Sequence, residues 1–285
     1  MKKFIYLLAI IISLFLTSNI YAENMPFSNY IVRDISSGRI FEEKASNIKV
    51  LPASTTKVMT AIVAIENSDL SDVFKVGEEI LTMDGANIYL EMGEHILFQD
   101  LLYGMILRSG NDAAMTIAQN VSGSVQNFVR LMNEKARSLK MTNTIFNNPT
   151  GLDDFEKNYT TMTDLSTVYS YAYQNETFRK IVSSQNYETK SDKKSYYFNN
   201  RMDFLKLYDK ATGGKTGYTP DAGRLLITSA SNKDLDIVIV THGNTYGYPY
   251  HKQKYEEIFS KYKNYEILDK DNFHVDSTLE GKLYI

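Results

Sequence analysis

Leu51-Pro52-Ala53-Ser54-Thr55-Thr56-Lys57-Val58-Met59-Thr60 is the stretch from which the rest of the chain can be read. Pro52 stands just before an apolar run over 58–65 that only Thr60 interrupts. Proline fixes φ near the helical value and suits a helix start. The pattern predicts a helix over 54–65, almost wholly apolar beyond Lys57 and therefore central, buried on most sides. Ser54 and Lys57 are three residues apart, so on a helix they share a face one turn from each other. A serine hydroxyl is a poor nucleophile until something takes its proton. A lysine amine can take it only if burial or a second cation pulls its pKa down. Both residues also have ordinary readings, a serine helix cap beside a proline and a lysine that buries its stem and keeps its head wet.

Composition narrows the classes. The chain has 285 residues, 43% hydrophobic and 23% charged, which suits a folded protein of one large or two modest domains. Its net charge is −3, and no basic block or aromatic–basic interleaving points to nucleic acid. It has no cysteine, which excludes disulfides, thiolate nucleophiles, cysteine metal sites and a lipidated cysteine. The four histidines lack metal-site spacing. Lys2 and Lys3, an apolar run over 4–16 broken only by Ser13, and Tyr21-Ala22-Glu23 read as an export signal over 1–22, cleaved after Ala22. Ile20 is less typical of such a site, and an uncleaved anchor is the alternative, although the stretch is short for a membrane span. Cleavage removes two lysines and no acid, taking the charge from −3 to −5.

Along the chain, Tyr30-Ile31-Val32 and Ile40-Phe41 flank a turn with Asp34 and Gly38 and predict a hairpin. Short strands and loops are expected over 69–94. Helices are expected over 100–107, over 113–120 with Asn111 or Asp112 as cap, over 125–139, over 163–173 and near 178–182. Residues 183–203 read as polar, with a turn at Asn199-Asn200-Arg201. Leu225-Ile227 and Ile237-Val240, joined by Ser231-Asn232-Lys233-Asp234, predict a second hairpin, and 252–262 a last helix. Strands at both ends and helices between them predict a sheet completed by the chain's two ends. Residues 266–285 are charged and short of core material. The expected division is 1–22 signal, 23–253 catalytic domain, and 254–285 a tail or the entry to a second domain.

Three words agree with one family. Ser54-Thr55-Thr56-Lys57, Ser109-Gly110-Asn111 and Lys215-Thr216-Gly217 stand in order, flanked by Leu51-Pro52-Ala53, Leu101-Leu102-Tyr103-Gly104, Asp112-Ala113-Ala114 and Tyr218-Thr219. With them the chain resembles the serine D-alanyl-D-alanine carboxypeptidases, the low-molecular-mass penicillin-binding proteins, over about 29–250. The resemblance implies an α+β penicillin-binding protein/β-lactamase-like transpeptidase fold, an antiparallel sheet with a helical cluster and the site at their junction. It implies removal of the terminal D-alanine from peptidoglycan stem pentapeptides through an acyl-enzyme on Ser54, with no metal or organic cofactor. Implied partners are stem peptides and, as covalent inhibitors, β-lactams. An exported protein at the cell wall or the outer face of the membrane follows, with membrane contact only through an uncleaved signal.

In that reading Lys57 is the base for Ser54, and Ser109, between the two lysines, relays a proton to the leaving amine. Asn111 offers its amide to the substrate backbone, or is a self-satisfied turn residue. Lys215 and Thr216 meet the substrate carboxylate, Gly217 admits close backbone approach, and the N–H groups of Ser54 and Tyr218 form the oxyanion hole. Arg224 is a candidate for a carboxylate contact or a solvated strand arginine. The alternative for Gly213-Gly214-Lys215-Thr216-Gly217 is a flexible turn. A phosphate loop is rejected, because its first glycine would fall at Asp209. The family often has His where Tyr218 stands, and Asn148-Pro149-Thr150-Gly151-Leu152 departs from a family word by Thr150; that stretch is expected to be peripheral. Rival readings are a DD-endopeptidase with the same residues, a class A-like β-lactamase, whose Glu-x-x-Leu-Asn loop is not found, and a non-catalytic wall-binding protein.

Overall fold

The computed structural model describes residues 27–263, apart from 154, 155, 244 and 246. The export signal expected over 1–22 and the tail beyond 263 lie outside the described residues. Among the described residues no helix is long and apolar enough to cross a membrane.

The fold is built on one antiparallel sheet. Strands β1 (Phe27–Asp34), β2 (Ile40–Lys44), β7 (Ala211–Thr219), β8 (Gly223–Ser231) and β9 (Asp236–Gly243) lie in the order β2-β1-β9-β8-β7. The two ends of the chain therefore complete one sheet, as the strand pattern predicts. Successive side chains of a strand point to opposite faces. Ile31, Leu225, Ile227, Val238 and Val240 go to one face and join the larger core. Tyr30, Val32, Leu226, Ile237 and Ile239 go to the other. Burial on both faces is why 237–240 reads as an unbroken apolar run rather than an alternation.

Helices cover the first face: α1 (Lys57–Ile65), α2 (Phe98–Leu107), α3 (Asn111–Ser122), α4 (Val125–Ser138), α5 (Met162–Tyr173) and α6 (Glu176–Ser183). Most of α1 is buried, from Lys57 to Ala64. Two small hairpins edge this layer: β3 (Val73–Lys75) with β4 (His95–Leu97), and β5 (Asn186–Lys190) with β6 (Ser195–Asn199). The second hairpin lies where the sequence reads as merely polar. A short helix α7 (Phe204–Leu207) and a final helix α8 (Tyr248–Lys261) cover the other face. The division expected at 253/254 falls inside α8, whose Tyr255, Ile258 and Phe259 are buried in the second core.

Two details differ from expectation. Ser54 lies not on the α-helix but on a 3₁₀ turn, Ala53–Thr56, that leads into it. The cap of α3 is the backbone of Gly110, neither Asn111 nor Asp112. Their side chains are committed elsewhere: the Asp112 carboxylate accepts from the N–H groups of Ile88 and Leu90, and the Asn111 amide faces the site.

Candidate active site

Ser54, Lys57, Ser109, Asn111, Lys215 and Thr216 converge where the edge strand β7 meets the helical layer. Ser54, Ser109, Asn111, Thr216 and Tyr218 line one cavity of about 420 Å³ with Gly85, Leu152, Arg201, Asp203 and Thr219. Gly217 lets β7 close on the segment that carries the serine: a Cβ there would come within 3.0 Å of the Pro52 carbonyl oxygen and 3.2 Å of the Ala53 Cβ. The approaching backbone is thus the protein's own. Lys215-Thr216-Gly217 lies within β7, so the flexible-turn reading does not hold.

Lys57 is fully buried. Its Nζ reaches Ser54 Oγ at 3.1 Å, Asn111 Oδ1 at 2.7 Å and the Thr150 carbonyl oxygen at 2.7 Å. The Asn111 amide is held in this orientation by donating from Nδ2 to the Asp84 carbonyl at 2.7 Å, so it is not a self-satisfied turn residue. Burial, then the positive charge of Lys215, hold the Lys57 amine well below the ordinary lysine range, against an opposing pull from Asp112. Lys215 Nζ donates to Ser109 Oγ at 3.0 Å and to the Thr216 carbonyl at 2.9 Å. Burial first and Arg201 second push Lys215 down to about 7.

Three placements correct the sequence reading. Ser109 accepts from Lys215, whereas the three hydrogen bonds of Lys57 go to Ser54, Asn111 and Thr150, so Ser109 does not bridge the two lysines. The stretch 148–152 is not peripheral: its Thr150 carbonyl holds Lys57, and Gly151 and Leu152 line the cavity. Arg224 pairs across the sheet with Tyr218, and its guanidinium lies 4.9 Å over the Tyr218 ring. Arg224 is not among the residues lining the cavity; Arg201, read from the sequence only as a turn residue, is.

Two non-glycine residues take the left-handed backbone conformation here, Ala53 (φ +45°) just before the serine and Ser109 (φ +64°). Such strain costs about 1–3 kcal/mol per residue and clusters at functional sites. Gly151 (φ +84°) is required for a different reason: a Cβ there would collide with the Ala53 carbonyl.

A serine held 3.1 Å from a buried lysine whose pKa is lowered, with a second buried lysine on the neighbouring edge strand, is an arrangement of the serine penicillin-binding class. The comparisons give the family. A family model described as D-alanyl-D-alanine carboxypeptidase matches residues 19–245, and the chain belongs to that family. It is 33% identical over 213 residues to the D-alanyl-D-alanine carboxypeptidase DacF of Bacillus subtilis, covering 73% of this chain and 54% of that protein. The chain thus spans about half the length of that relative. A D-alanyl-D-alanine endopeptidase of Pseudomonas aeruginosa is 29% identical over 231 residues, covering 76% of this chain and 72% of its own. The crystal structure of a D-alanyl-D-alanine carboxypeptidase from Mycobacterium tuberculosis superposes with a TM-score of 0.78 at 30% identity, covering 82% of this chain and 91% of that one. The α+β penicillin-binding fold is that of these neighbours.

Proposed function

We propose that this protein is a serine D-alanyl-D-alanine carboxypeptidase that trims peptidoglycan stem pentapeptides outside the cytoplasmic membrane. The observation that carries the reading is the surroundings of Lys57 Nζ. Two of its three neighbours, Asn111 Oδ1 and the Thr150 carbonyl, can only accept. A neutral lysine has two N–H groups and one lone pair. With both N–H groups spent on those oxygens, the lone pair faces Ser54 Oγ, the one neighbour that can donate.

Ser54 Oγ then attacks the carbonyl carbon of the penultimate D-alanine and its proton passes to Lys57. The N–H groups of Ser54 and Tyr218 receive the oxyanion. The C–N bond breaks as the leaving D-alanine takes a proton from Lys215 relayed by Ser109 Oγ; water then hydrolyses the ester, its proton restoring Lys215 through Ser109 while Lys57 returns its proton to Ser54 Oγ. Lys215, Thr216 and Arg201 draw the terminal carboxylate to one end of the cavity. Asn111 serves mainly to orient Lys57, and Arg224 supports Tyr218 at the rim. β-Lactams, which present an acyl group and a carboxylate in the same relation, acylate the same serine. The export signal read from the sequence over 1–22 supports an extracellular site of action.

The test is mass spectrometry of residues 23–285 incubated with penicillin, followed by an assay of D-alanine release from a pentapeptide. A covalent adduct on Ser54, lost in Ser54→Ala, together with free D-alanine is the expected result. An adduct without release, but with cleavage of a cross-linked dimer, would favour the endopeptidase reading that the Pseudomonas relative supports. No adduct on folded protein would overturn the acyl-enzyme and leave a wall-binding role.

A further inference from the structure

The stretch 147–152 contributes one backbone oxygen to Lys57, yet it is held by more hydrogen bonds than that contact needs. Asn148 is its hub. Its Oδ1 accepts from the N–H of Thr150 at 3.1 Å, from Thr150 Oγ1 at 2.9 Å and from the N–H of Gly151 at 2.7 Å. Its Nδ2 donates to the carbonyls of Leu152 at 3.0 Å and Glu156 at 2.9 Å. Asn148 is itself gripped by buried Asn158, whose Oδ1 accepts from the Asn148 N–H at 3.0 Å and whose Nδ2 donates to the Asn148 carbonyl at 3.0 Å. The same Asn158 Nδ2 reaches Thr56 Oγ1 at 3.1 Å, on the residue that precedes Lys57. One residue further along the loop from Asn148, the Pro149 carbonyl accepts from Thr60 Oγ1 at 2.7 Å, one turn beyond Lys57 on α1.

An asparagine that only closed a turn would leave the carbonyls of that turn to solvent. Here the Pro149 and Thr150 carbonyls are both spent on the helix that carries the lysine, and the loop is tied to that helix on either side of it. A lysine side chain has four rotatable bonds, and burial alone does not aim its lone pair. The aim comes from the two acceptors that occupy its N–H groups, and one of them is only as fixed as Asn148 makes it.

We propose that Asn148 is a positioning residue for the acylation step: it sets the Thr150 carbonyl so that the lone pair of neutral Lys57 stays on Ser54. The proposal rests on the reading of Ser54 as nucleophile and Lys57 as its base. Asn148 does not line the cavity of Ser54, and its hydrogen bonds go to its own loop and to Asn158. Its effect belongs to the chemical step rather than to capture of the ligand, because the carboxylate-binding groups Lys215, Thr216 and Arg201 lie on other segments.

The experiment is pre-steady-state acylation of the full chain by penicillin, resolved into the dissociation constant of the first complex and the rate constant of acylation, with burst amplitude reporting the fraction of competent sites. Asn148→Ala is expected to lower the acylation rate constant about 10- to 100-fold while the dissociation constant stays within about threefold. A purely structural role would reduce the burst amplitude and leave the rate constant of the remaining sites at the wild-type value, which would overturn the proposal. Equal loss in binding and in rate would overturn it too. Should Asn148→Ala fail to fold, Thr56→Val, which removes the Asn158 contact beside Lys57, is expected to slow acylation about fivefold; a wild-type rate there would count against the proposal. Wild-type protein that is folded but not acylated would sink the function reading itself, and this inference with it.

Discussion

The two buried lysines fix opposite limbs of one pH profile. In the proposed mechanism Lys57 works as a neutral amine, so acylation is expected to rise with pH as it deprotonates, and its lowered pKa brings that limb far below the ordinary lysine range. In the same mechanism Lys215 works as a cation, so capture of the carboxylate is expected to fall as pH rises through about 7 in the free protein. The charge of Lys215 is one of the causes that lower the Lys57 pKa, after burial. The expected kcat/KM for D-alanine release is a bell whose alkaline limb lies near neutrality. In kcat that limb moves upward, because the bound carboxylate stabilises the Lys215 cation. Lys215→Arg, charged at every accessible pH, should lower the rate but remove the limb near 7; persistence of that limb would assign it to another group. Ser54, Lys57, Ser109, Asn111, Lys215 and Thr216 could be read from the sequence because their chemistry resides in side chains at fixed spacing. Thr150 could not, since a backbone carbonyl has no residue signature. Arg201 could not either, since only the folded chain brings that turn to the cavity.

Long periodic elements were legible for the same physical reason: one face of each is buried, and the sequence records it. The β5–β6 hairpin was not. In Ser195-Tyr196-Tyr197-Phe198-Asn199 only Tyr196 and Phe198 are buried, and the outward Tyr197 erases the alternation. Its anchor is a polar one, Asp100 on α2, which accepts from Tyr187 Oη at 2.6 Å and Thr189 Oγ1 at 2.7 Å. The packing of α8 on the sheet likewise turns on a polar residue. His251 is fully buried between Thr228 of β8, at 2.7 Å from Nδ1, and Thr241 of β9, at 3.0 Å from Nε2. Burial pushes its pKa down from 6.5 to about 3. The unfolded chain binds this proton below pH 6.5 while the folded chain refuses it, so stability is undiminished above 6.5 and falls as pH drops towards 3. The slope is about 1.4 kcal/mol per pH unit, or about 2 kcal/mol between pH 6.5 and 5, above most carboxylate titration. Urea unfolding across that interval should show the loss in the wild type and a shallower dependence in His251→Asn. Parallel slopes would mean that water reaches the imidazole.

The cleft is the junction of the edge strand β7 with the helical layer, and the sheet behind it is packed on both faces. Residues of one face of β8 and β9 pack against the helical layer, whose helices carry Lys57 and Asn111 and whose entry turn carries Ser54, and residues of the other face pack against α8. The strand β7 that brings Lys215 and Thr216 is an edge strand, bonded on one side only to β8. Its position therefore depends on β8 being packed from behind. This gives α8 a role that its distance from the chemistry conceals, and it makes the placement of the domain boundary testable. A chain ended at residue 253 removes Tyr255, Ile258 and Phe259 from the second core. At about 1.5–3 kcal/mol for each large apolar side chain withdrawn from water, the loss is about 5–9 kcal/mol. That is comparable with the whole stability of a typical domain, about 5–15 kcal/mol. Residues 23–253 are therefore expected to be unfolded or molten at 25 °C, with no near-ultraviolet circular dichroism and no penicillin adduct, whereas residues 23–263 should unfold cooperatively and label at Ser54. A folded and acylated 23–253 fragment would show that α8 lies outside the cooperative unit and that the edge strand needs no support from behind.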